Sequence, residues 1–253
     1  MTVTKYTIAH GGQPLRAAVV ADFHDDEPSY LLALLRETAP DVILVVGDVV
    51  HDGEHTENAM AFLRGAVCIA PVFCSLGNHE ARCGDGIAAR LVSTGVSLLD
   101  DRYVCFGDFV IGGLSSGFFG HKQGRLKKTP KPNLAWLDGF CAEKGTKLLL
   151  SHHPEYYRDY LSHLPVGTVL SGHAHGGQWR AFGRGLFAPG QGMFPRYTSG
   201  VYRGKRLWRG PIRAEDGTST LIVSRGCHSR GRIPRINNEE ELIVLEFFKE
   251  EQG

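Results

Sequence analysis

The stretch Val42-Ile43-Leu44-Val45-Val46 is a continuous apolar run that ends in Gly47-Asp48. A short run rich in β-branched residues, without polar alternation, is typical of a strand buried on both faces. Two similar runs flank it. Residues 17–21 end in Asp22-Phe23-His24, and residues 72–75 end in Leu76-Gly77-Asn78-His79-Glu80. The three runs predict three buried strands.

Helical patterns separate these strands. Residues 30–37 carry apolar side chains at helical spacing after Pro28-Ser29, and residues 56–64 repeat that pattern. A strand–helix–strand–helix–strand order predicts parallel strands joined by right-handed crossovers. The first third of the chain is therefore α/β.

The rest of the chain has a mixed pattern. Short strand-like pieces with tight links at 96–99, 103–106 and 109–112 predict antiparallel pairing. A helix over 133–142 leads to a strand over 147–150, which ends in Ser151-His152-His153-Pro154. A helical piece at 156–161 precedes Val169-Leu170 and the turn Ser171-Gly172-His173-Ala174-His175-Gly176-Gly177-Gln178. Strands over 221–224 and 242–247 close the chain.

Composition excludes several classes of protein. The chain has 253 residues, of which 42% are apolar and 22% charged, and its net charge is +1. These values fit a soluble globular protein, predicted as a single domain over 1–253, and do not suggest a nucleic-acid binder. No run reaches the roughly 18 apolar residues of a membrane span. Six cysteines without a Cys-x-x-Cys pair favour a reducing compartment, hence a cytoplasmic protein that contacts a membrane only peripherally.

Each of the polar clusters directly follows a predicted strand, at the carboxyl end where open α/β sheets collect their ligands. The set contains two carboxylates, an amide and several imidazoles: Asp22, His24, Asp48, Asn78, His79, His152 or His153, His173 and His175. Such donors suit two borderline divalent cations with one carboxylate between them, a clamp for phosphoryl chemistry.

The ordered blocks Asp-x-His, Gly-Asp, Gly-Asn-His-Glu, His-His-Pro and Gly-His-x-His resemble the calcineurin-like metallophosphoesterase family. The resemblance implies a four-layer αββα fold, in which a two-sheet mixed β sandwich is flanked by helices. It also implies hydrolysis of phosphoester bonds at a dinuclear metal centre. Within the family, Gly-His-x-His-Gly-Gly-Gln and Val223-Ser224-Arg225-Gly226 resemble a bacterial phosphodiesterase branch that includes UDP-2,3-diacylglucosamine hydrolases.

The resemblance also implies residue roles. Asp22, His24 and His175 would hold one metal ion. Asn78, His152 and His173 would hold the other, with Asp48 between them. His79 would be the catalytic residue, as proton donor or as a cation facing the phosphate, and the nucleophile would be a hydroxide shared by the metals. Manganese is favoured, and iron, zinc, cobalt or nickel would also suit the donors.

Departures from the family pattern leave questions open. Several relatives carry an aspartate three residues after the Gly-Asp aspartate, where it orients the catalytic histidine. His51 stands at that position here, and either Asp52, one residue later, takes this role through a local bulge or no residue does. The usual His-x-Pro spacing favours His152 over His153 as the ligand, which leaves His153 either as a residue that supports the ligands or as a substrate contact. A membrane helix often precedes the domain in this branch, but residues 1–15 carry no long apolar run, so membrane anchoring is not expected here.

The segment 176–215 is predicted to be a basic lid or loop region. Residues 160–214 contain no Asp or Glu but many arginines and aromatics. They form either a solvated loop or a surface that attracts an anionic phosphoester or lipid headgroups, with nucleic acid less favoured. Arg180 and Arg225 are the predicted substrate contacts. Alternative functions are a phosphomonoesterase or protein phosphatase, and a non-catalytic scaffold. The oligomeric state is not predicted.

Overall fold

Two seven-stranded sheets face each other in the computed structural model, which describes residues 1–51, 53, 56–84, 86–118, 129–214, 217–228 and 234–250. The first sheet has the spatial order β16-β1-β18-β2-β3-β4-β5. Its strands in that order are Ile212–Arg213, Thr2–His10, Glu241–Lys249, Leu15–Val20, Val42–Val46, Val72–Ser75 and Ser97–Leu98. Strands β2 to β5 are parallel, and β18 pairs antiparallel with β2.

The second sheet has the spatial order β15-β14-β17-β9-β8-β7-β6. Its strands in that order are Arg206–Leu207, Gly200–Arg203, Thr220–Val223, Thr168–Ser171, Thr146–Leu150, Phe109–Gly113 and Arg102–Phe106. Strands β7, β8, β9 and β17 are parallel, and the outer pairs are antiparallel. Both sheets are thus mixed.

Three apolar clusters separate four layers. One cluster lies between the sheets and joins Leu44 and Val46 of β3 to Leu148 and Leu150 of β8. The other two lie under the helices that cover the outer sheet faces. The helices are α1 (Ser29–Thr38), α2 (Glu57–Val67), α3 (Asn78–Arg82), α4 (Ile87–Val92) and α5 (Leu134–Ala142), with a short helical turn over Tyr157–Leu161. The predicted αββα arrangement is confirmed.

The alternation of side chains in the central strands explains these layers. Ile43 and Val45 of β3 pack with the helices, whereas Leu44 and Val46 pack with the second sheet. Neighbouring side chains on a strand point to opposite faces, so a strand between two apolar layers must be apolar throughout. The continuous apolar run at 42–46 follows from this position between two apolar layers.

One sequence expectation was wrong, and one strand was not anticipated. The piece at 96–99 was expected to pair antiparallel with its neighbours, but β5 pairs parallel with β4 at the edge of the first sheet. Strand β1 was not anticipated, because its first six residues are only partly buried or exposed and lack a clear apolar period. It is paired along its whole length with β18, from Thr2 opposite Glu241 to His10 opposite Lys249.

The basic region is more ordered than a loop. It forms two hairpins, β10 (Arg180–Ala181) with β11 (Arg184–Gly185), and β12 (Phe187–Ala188) with β13 (Gly192–Met193). It then contributes β14 and β15 to the second sheet. Of the six cysteines, which are all free, only Cys74 and Cys227 are buried.

Candidate metal centre

The carboxyl ends of five strands from both sheets meet at one rim. Backbone hydrogen bonds tie the segments that follow these strands. The amide of His24, after β2, donates to the carbonyl of Asp48 after β3 (3.0 Å), and the amide of Gly172, after β9, donates to the carbonyl of His152 after β8 (3.2 Å). These bonds align the ligand-bearing segments within each sheet, and hydrogen bonds from the amide of His173 to the carboxylate of Asp22 join the two sheets.

Asp48 and His152 make the shortest contact between a carboxylate and an imidazole in the cluster. Nε2 of His152 lies 3.1 Å from Oδ2 of Asp48 and 3.9 Å from Oδ1 of Asp22. The other ring nitrogen, Nδ1, lies 2.8 Å from the carbonyl oxygen of Val46. A hydrogen bond from Nδ1 to that carbonyl leaves Nε2 as the nitrogen directed at the carboxylates, which is the orientation required of a metal ligand.

Asp22 lies close to His24, His173 and His175. Nε2 of His175 is 3.7 Å from Oδ1 of Asp22, and it is 3.2 Å from Nε2 of His24. The backbone amide of His173 donates to both carboxylate oxygens of Asp22, at 3.0 and 2.9 Å. Asp22, His24 and His175 therefore present donor atoms at distances that one cation can span.

The donor set fits metal ions. The amide oxygen Oδ1 of Asn78 is buried and has no hydrogen-bond partner among the described residues. A buried acceptor without a partner is unfavourable unless a cation or donor satisfies it. With two carboxylates and four imidazoles beside it, the arrangement matches the nitrogen- and oxygen-rich sites of borderline first-row metals.

Five of the seven predicted ligands have a left-handed backbone. They are Asp22, His24, Asp48, His173 and His175, with φ between 45° and 64°. Such conformations are uncommon for residues other than glycine and cost on the order of 1–3 kcal/mol each. A simple turn or helix cap does not require so many of them at one place, so they indicate a functional arrangement.

Two glycines make room for the carboxylates. A Cβ on Gly77 would lie 2.2 Å from Oδ1 of Asp48, and a Cβ on Gly226 would lie 2.8 Å from the Cβ of Asp22. Gly226 also has φ +78°. It belongs to the tail block 223–226, which the fold therefore brings against the metal centre.

The protonation states suit cation binding. Burial lowers the pKa values of His24, His173 and His175, so these imidazoles are neutral, as metal ligands must be. Burial also disfavours the charged form of His152, but the carboxylates of Asp48 and Asp22 outweigh it and raise the pKa of His152 to about 10. A metal ion at Nε2 would displace that proton, so metal binding should release protons.

His79 lies at the edge of the cluster. Its backbone amide donates to Oδ1 of Asp48 (2.8 Å), and its Nε2 lies 3.9 Å from Oδ2 of the same residue. Its Nδ1 contacts the carbonyl oxygen of His51. A backbone carbonyl therefore stands where relatives use an aspartate side chain to orient this histidine, while Asp52 lies outside the described residues.

The three predicted substrate contacts differ in their partners. His153 is buried, with Nε2 2.9 Å from the hydroxyl of Ser116. Arg180 donates to the carbonyls of Gly176 (2.7 Å) and Gly183 (2.5 Å). Nη2 of Arg225 lies 3.4 Å from Oε1 of Glu241. Each of the three side chains thus has a polar partner within the protein.

Sequence reasoning did not identify a role for Glu80. Its buried carboxylate accepts hydrogen bonds from the backbone amides of Gly77 (2.6 Å), Asp48 (2.9 Å), Val49 (2.7 Å) and Val50 (3.2 Å). Burial and the nearby Asp48 raise the pKa of Glu80, against the effect of the amide hydrogen bonds. Its position three residues after Gly77, at the start of α3, is the signal that could have indicated this role.

Two further side chains near the centre were given no role from the sequence, although both belong to or follow the tail pattern. Nδ1 of His228 lies 3.1 Å from Oδ2 of Asp26, and its ring centroid lies 5.4 Å from that of His24. Arg235 donates twice to the carbonyl of His228, and its Nη1 is buried without a partner among the described residues. Both follow the tail block 223–226, which was the available signal.

Among the helices of the described ranges, none combines the length and the apolar character needed to cross a membrane.

Known proteins resemble the chain to different degrees. The uncharacterized metallophosphoesterase Cj0846 of Campylobacter jejuni is 27% identical over 161 residues, which is 62% of this chain but only 41% of that relative. The structure of TT1561 of Thermus thermophilus is 12% identical, with a TM-score of 0.44, over 62% of this chain and 81% of that chain. The sulfate thiohydrolase SoxB of Thermus thermophilus, in complex with glycerol, is 15% identical, with a TM-score of 0.47, over 90% of this chain and 43% of that one.

The family profile of calcineurin-like phosphoesterases matches residues 15–177, from the start of β2 to the turn that carries His173 and His175. The matched range contains both carboxylates, the amide and all four imidazoles of the candidate metal centre. The chain belongs to the calcineurin-like phosphoesterase family.

Proposed function

We propose that the protein hydrolyses phosphoester bonds with two bound metal ions, and that its substrates are phosphodiesters or pyrophosphates. The observation that carries this proposal is the convergence of two carboxylates, one amide and four imidazoles at the rim shared by both sheets. Asp22, His24 and His175 would hold one ion. Asn78, His152 and His173 would hold the other, and Asp48 lies between the two groups. Manganese is the favoured ion.

Metal ions at this centre would neutralise charge on the phosphoryl oxygens. They would also lower the pKa of a water molecule, so that hydroxide is available to attack phosphorus near neutral pH. The protein contributes fixed ligand positions, which the strained backbone at five of them preorganises. Beside the second metal group, the hydroxyl of Ser116 lies 2.9 Å from Nε2 of His153.

His79 is placed to act on the leaving group. Its ring lies beside Asp48 without belonging to either proposed metal group, and the His51 carbonyl contacts its Nδ1. With a proton held at Nδ1 by that carbonyl, His79 would deliver a proton from Nε2 to the departing oxygen as the imidazolium, which carries a proton on both ring nitrogens. Nε2 also lies 3.2 Å from Nη1 of Arg82.

Arg235 supports an anionic substrate. Its guanidinium is mostly buried near Asp22 and His175, and burial lowers its pKa. Because its Nη1 has no partner among the described residues, this nitrogen is suited to a phosphoryl oxygen. The basic segment 176–215 continues the positive surface, which favours a substrate with charge beyond one phosphate, as in the branch of UDP-2,3-diacylglucosamine hydrolases. We place the protein in the cytoplasm as a single domain.

The test is turnover of three substrate classes with the full chain loaded with Mn²⁺. Bis-p-nitrophenyl phosphate reports diesterase activity, p-nitrophenyl phosphate reports monoesterase activity, and UDP-linked lipid analogues test the narrower assignment. We expect the diester to be hydrolysed with the higher kcat/KM. Preference for the monoester would replace the proposal with a phosphomonoesterase.

Metal content must be measured on the same sample. Two bound ions with no turnover of any of the three substrates would contradict the hydrolase and favour a scaffold that keeps the fold without the chemistry. A single bound ion with full activity would contradict the dinuclear centre alone.

A further inference from the structure

Two phenylalanines in the basic region are exposed and have a left-handed backbone. Phe182 is fully exposed with φ 50°, and Phe194 is 79% exposed with φ 54°. A bulky residue with positive φ is a genuine outlier. Neither side chain offsets this conformational cost by packing against the protein.

The turn that contains Phe182 shows the conflict most clearly. Ala181 pairs with Arg184, so Phe182 and Gly183 form a two-residue hairpin turn in which both have positive φ. Such turns strongly favour Asn or Gly at the first position. Phe therefore serves neither the turn nor the core here, and an outlier of this kind points to a function outside the fold.

The two phenylalanines stand on the wall of one groove of about 910 Å³. Leu207, 52% exposed, belongs to the same wall, and Met193, 58% exposed, precedes Phe194. We call Phe182, Met193, Phe194 and Leu207 the apolar rim. Isolated exposed apolar residues are ordinary, but three of them lining one groove, with exposed Met193 next in the chain, mark an interaction surface.

Cations surround the apolar rim, and no carboxylate is found among the described residues that line the groove. Arg184, Arg196 and Lys205 line the groove and are exposed. Within the described ranges none of the three forms an ion pair, and no Asp or Glu lines the groove. Aromatic side chains beside unpaired cations match the two layers of an anionic membrane surface, where rings sit among the headgroups and cations meet phosphates.

We propose that the apolar rim inserts into the headgroup region of an anionic phospholipid bilayer, with Arg184, Arg196 and Lys205 on lipid phosphates. A second copy of the chain fits less well, because a two-fold contact would bring these cations against one another. A nucleic acid fits less well because the whole chain has a net charge of +1 and a pI of about 7.7.

The groove is tied to the metal centre. Leu186, which follows β11, donates its amide to the carbonyl of Gly177 (3.1 Å), and Arg180 donates to the carbonyl of Gly176. Both glycines directly follow His175. A bilayer bound at the rim would therefore lie beside the turn that carries two proposed metal ligands. The membrane contact itself does not depend on hydrolase activity.

The test is co-sedimentation of the full chain with large unilamellar vesicles. Phosphatidylcholine vesicles are compared with vesicles containing about 30 mol % phosphatidylglycerol, at low and high salt. We expect at least about 10-fold stronger partitioning onto the anionic vesicles, weakened by salt. Equal binding to both compositions, or no binding, would overturn the proposal.

Two sets of variants test the residues. Phe182→Ser with Phe194→Ser should lower partitioning at least about 10-fold. Arg184→Gln with Arg196→Gln and Lys205→Gln should lower it about 100-fold, given roughly 1 kcal/mol per cation near the surface. The matched controls are Leu134→Ser and the triple variant Arg36→Gln, Arg64→Gln, Arg102→Gln, which change exposed residues elsewhere and should bind within about twofold of the parent protein.

Further measurements distinguish a lipid bilayer from a second copy of the chain and from nucleic acid as the partner of the apolar rim. All variants are first checked for an unchanged thermal unfolding midpoint, so that lost binding is not lost folding. A dimer in light scattering that Phe182→Ser and Phe194→Ser abolish, without vesicle binding, would assign the rim to a second copy. Binding of single-stranded DNA without vesicle binding would assign it to nucleic acid. Either result, or controls that lose as much binding as the rim variants, would refute the lipid contact.

Discussion

Oε2 of Glu80 accepts a hydrogen bond from the backbone amide of Asp48, 32 residues earlier in the chain, at 2.9 Å. The same carboxylate also accepts the amides of Val49, Val50 and Gly77. Glu80 thus joins the segment after β3 to the start of α3. Since Asp48 and Asn78 lie on these two segments, one buried side chain sets the distance between two proposed ligands.

We expect Glu80→Gln to destabilise the protein by about 2–4 kcal/mol, because an amide nitrogen would face buried backbone donors that have lost their acceptor. Urea unfolding measures this loss. Glu57→Gln is the control, because the ion pair of Glu57 with Arg90 is exposed and should change stability by less than about 1 kcal/mol. We also expect calorimetry to show weaker metal binding by Glu80→Gln, and Glu80→Asp should partly restore it. Unchanged metal affinity in Glu80→Gln would show that Glu80 stabilises the fold without positioning the metal ligands.

Asp48→Asn should weaken both metal sites together. Asp48 lies between the two proposed metal groups, and an amide supplies only one neutral oxygen. We expect metal affinity to fall by more than the roughly 10- to 100-fold typical of losing a residue that supports a ligand. Elemental analysis after dialysis gives the ions per chain, with the exposed Asp138→Asn as control. Two ions retained by Asp48→Asn would exclude Asp48 as the shared ligand.

His79→Ala should keep both metal ions and lose turnover. If His79 delivers a proton to the leaving oxygen, kcat should fall by about 10²- to 10⁴-fold. The measurement is kcat on bis-p-nitrophenyl phosphate together with metal content, and the exposed His163→Ala is the control. Loss of the metals in His79→Ala would show that this histidine supports the centre rather than the chemistry.

Glu155 should make stability depend on pH. Burial raises the pKa of Glu155, against the hydrogen bond from Thr129. The folded chain therefore keeps this proton at a pH where the unfolded chain has released it. Stability falls as pH rises from the ordinary pKa of glutamate to the raised value, and then no further.

Glu155→Gln removes this titration while keeping an oxygen to accept from Thr129. The stability of the variant relative to the parent protein should therefore increase between acidic and neutral pH. Urea unfolding at several pH values measures the difference, with the exposed Glu37→Gln as control. A difference that stays constant with pH would show that Glu155 does not titrate across this range.

Much of the fold was predictable because its signals are local. The apolar run at 42–46 and its counterparts identified the buried parallel strands, and the helices between them followed from side-chain spacing. Strand β1 was not predictable, because its stability comes from pairing with β18 more than 230 residues away. Strand β5 was misassigned because two residues carry no information about which sheet they join.

The sequence by itself determined the chemistry available at the rim: two aspartates, an asparagine and paired histidines, each directly after an apolar run. Its local order was enough, because parallel strands bring their carboxyl ends to one edge. Only the tertiary structure decided which atoms meet. It directs Nε2 of His152 to Asp48 and ties His153 to Ser116, and it uses Glu80 to hold two ligand segments together. These choices depend on register and packing between distant segments, which no local pattern encodes.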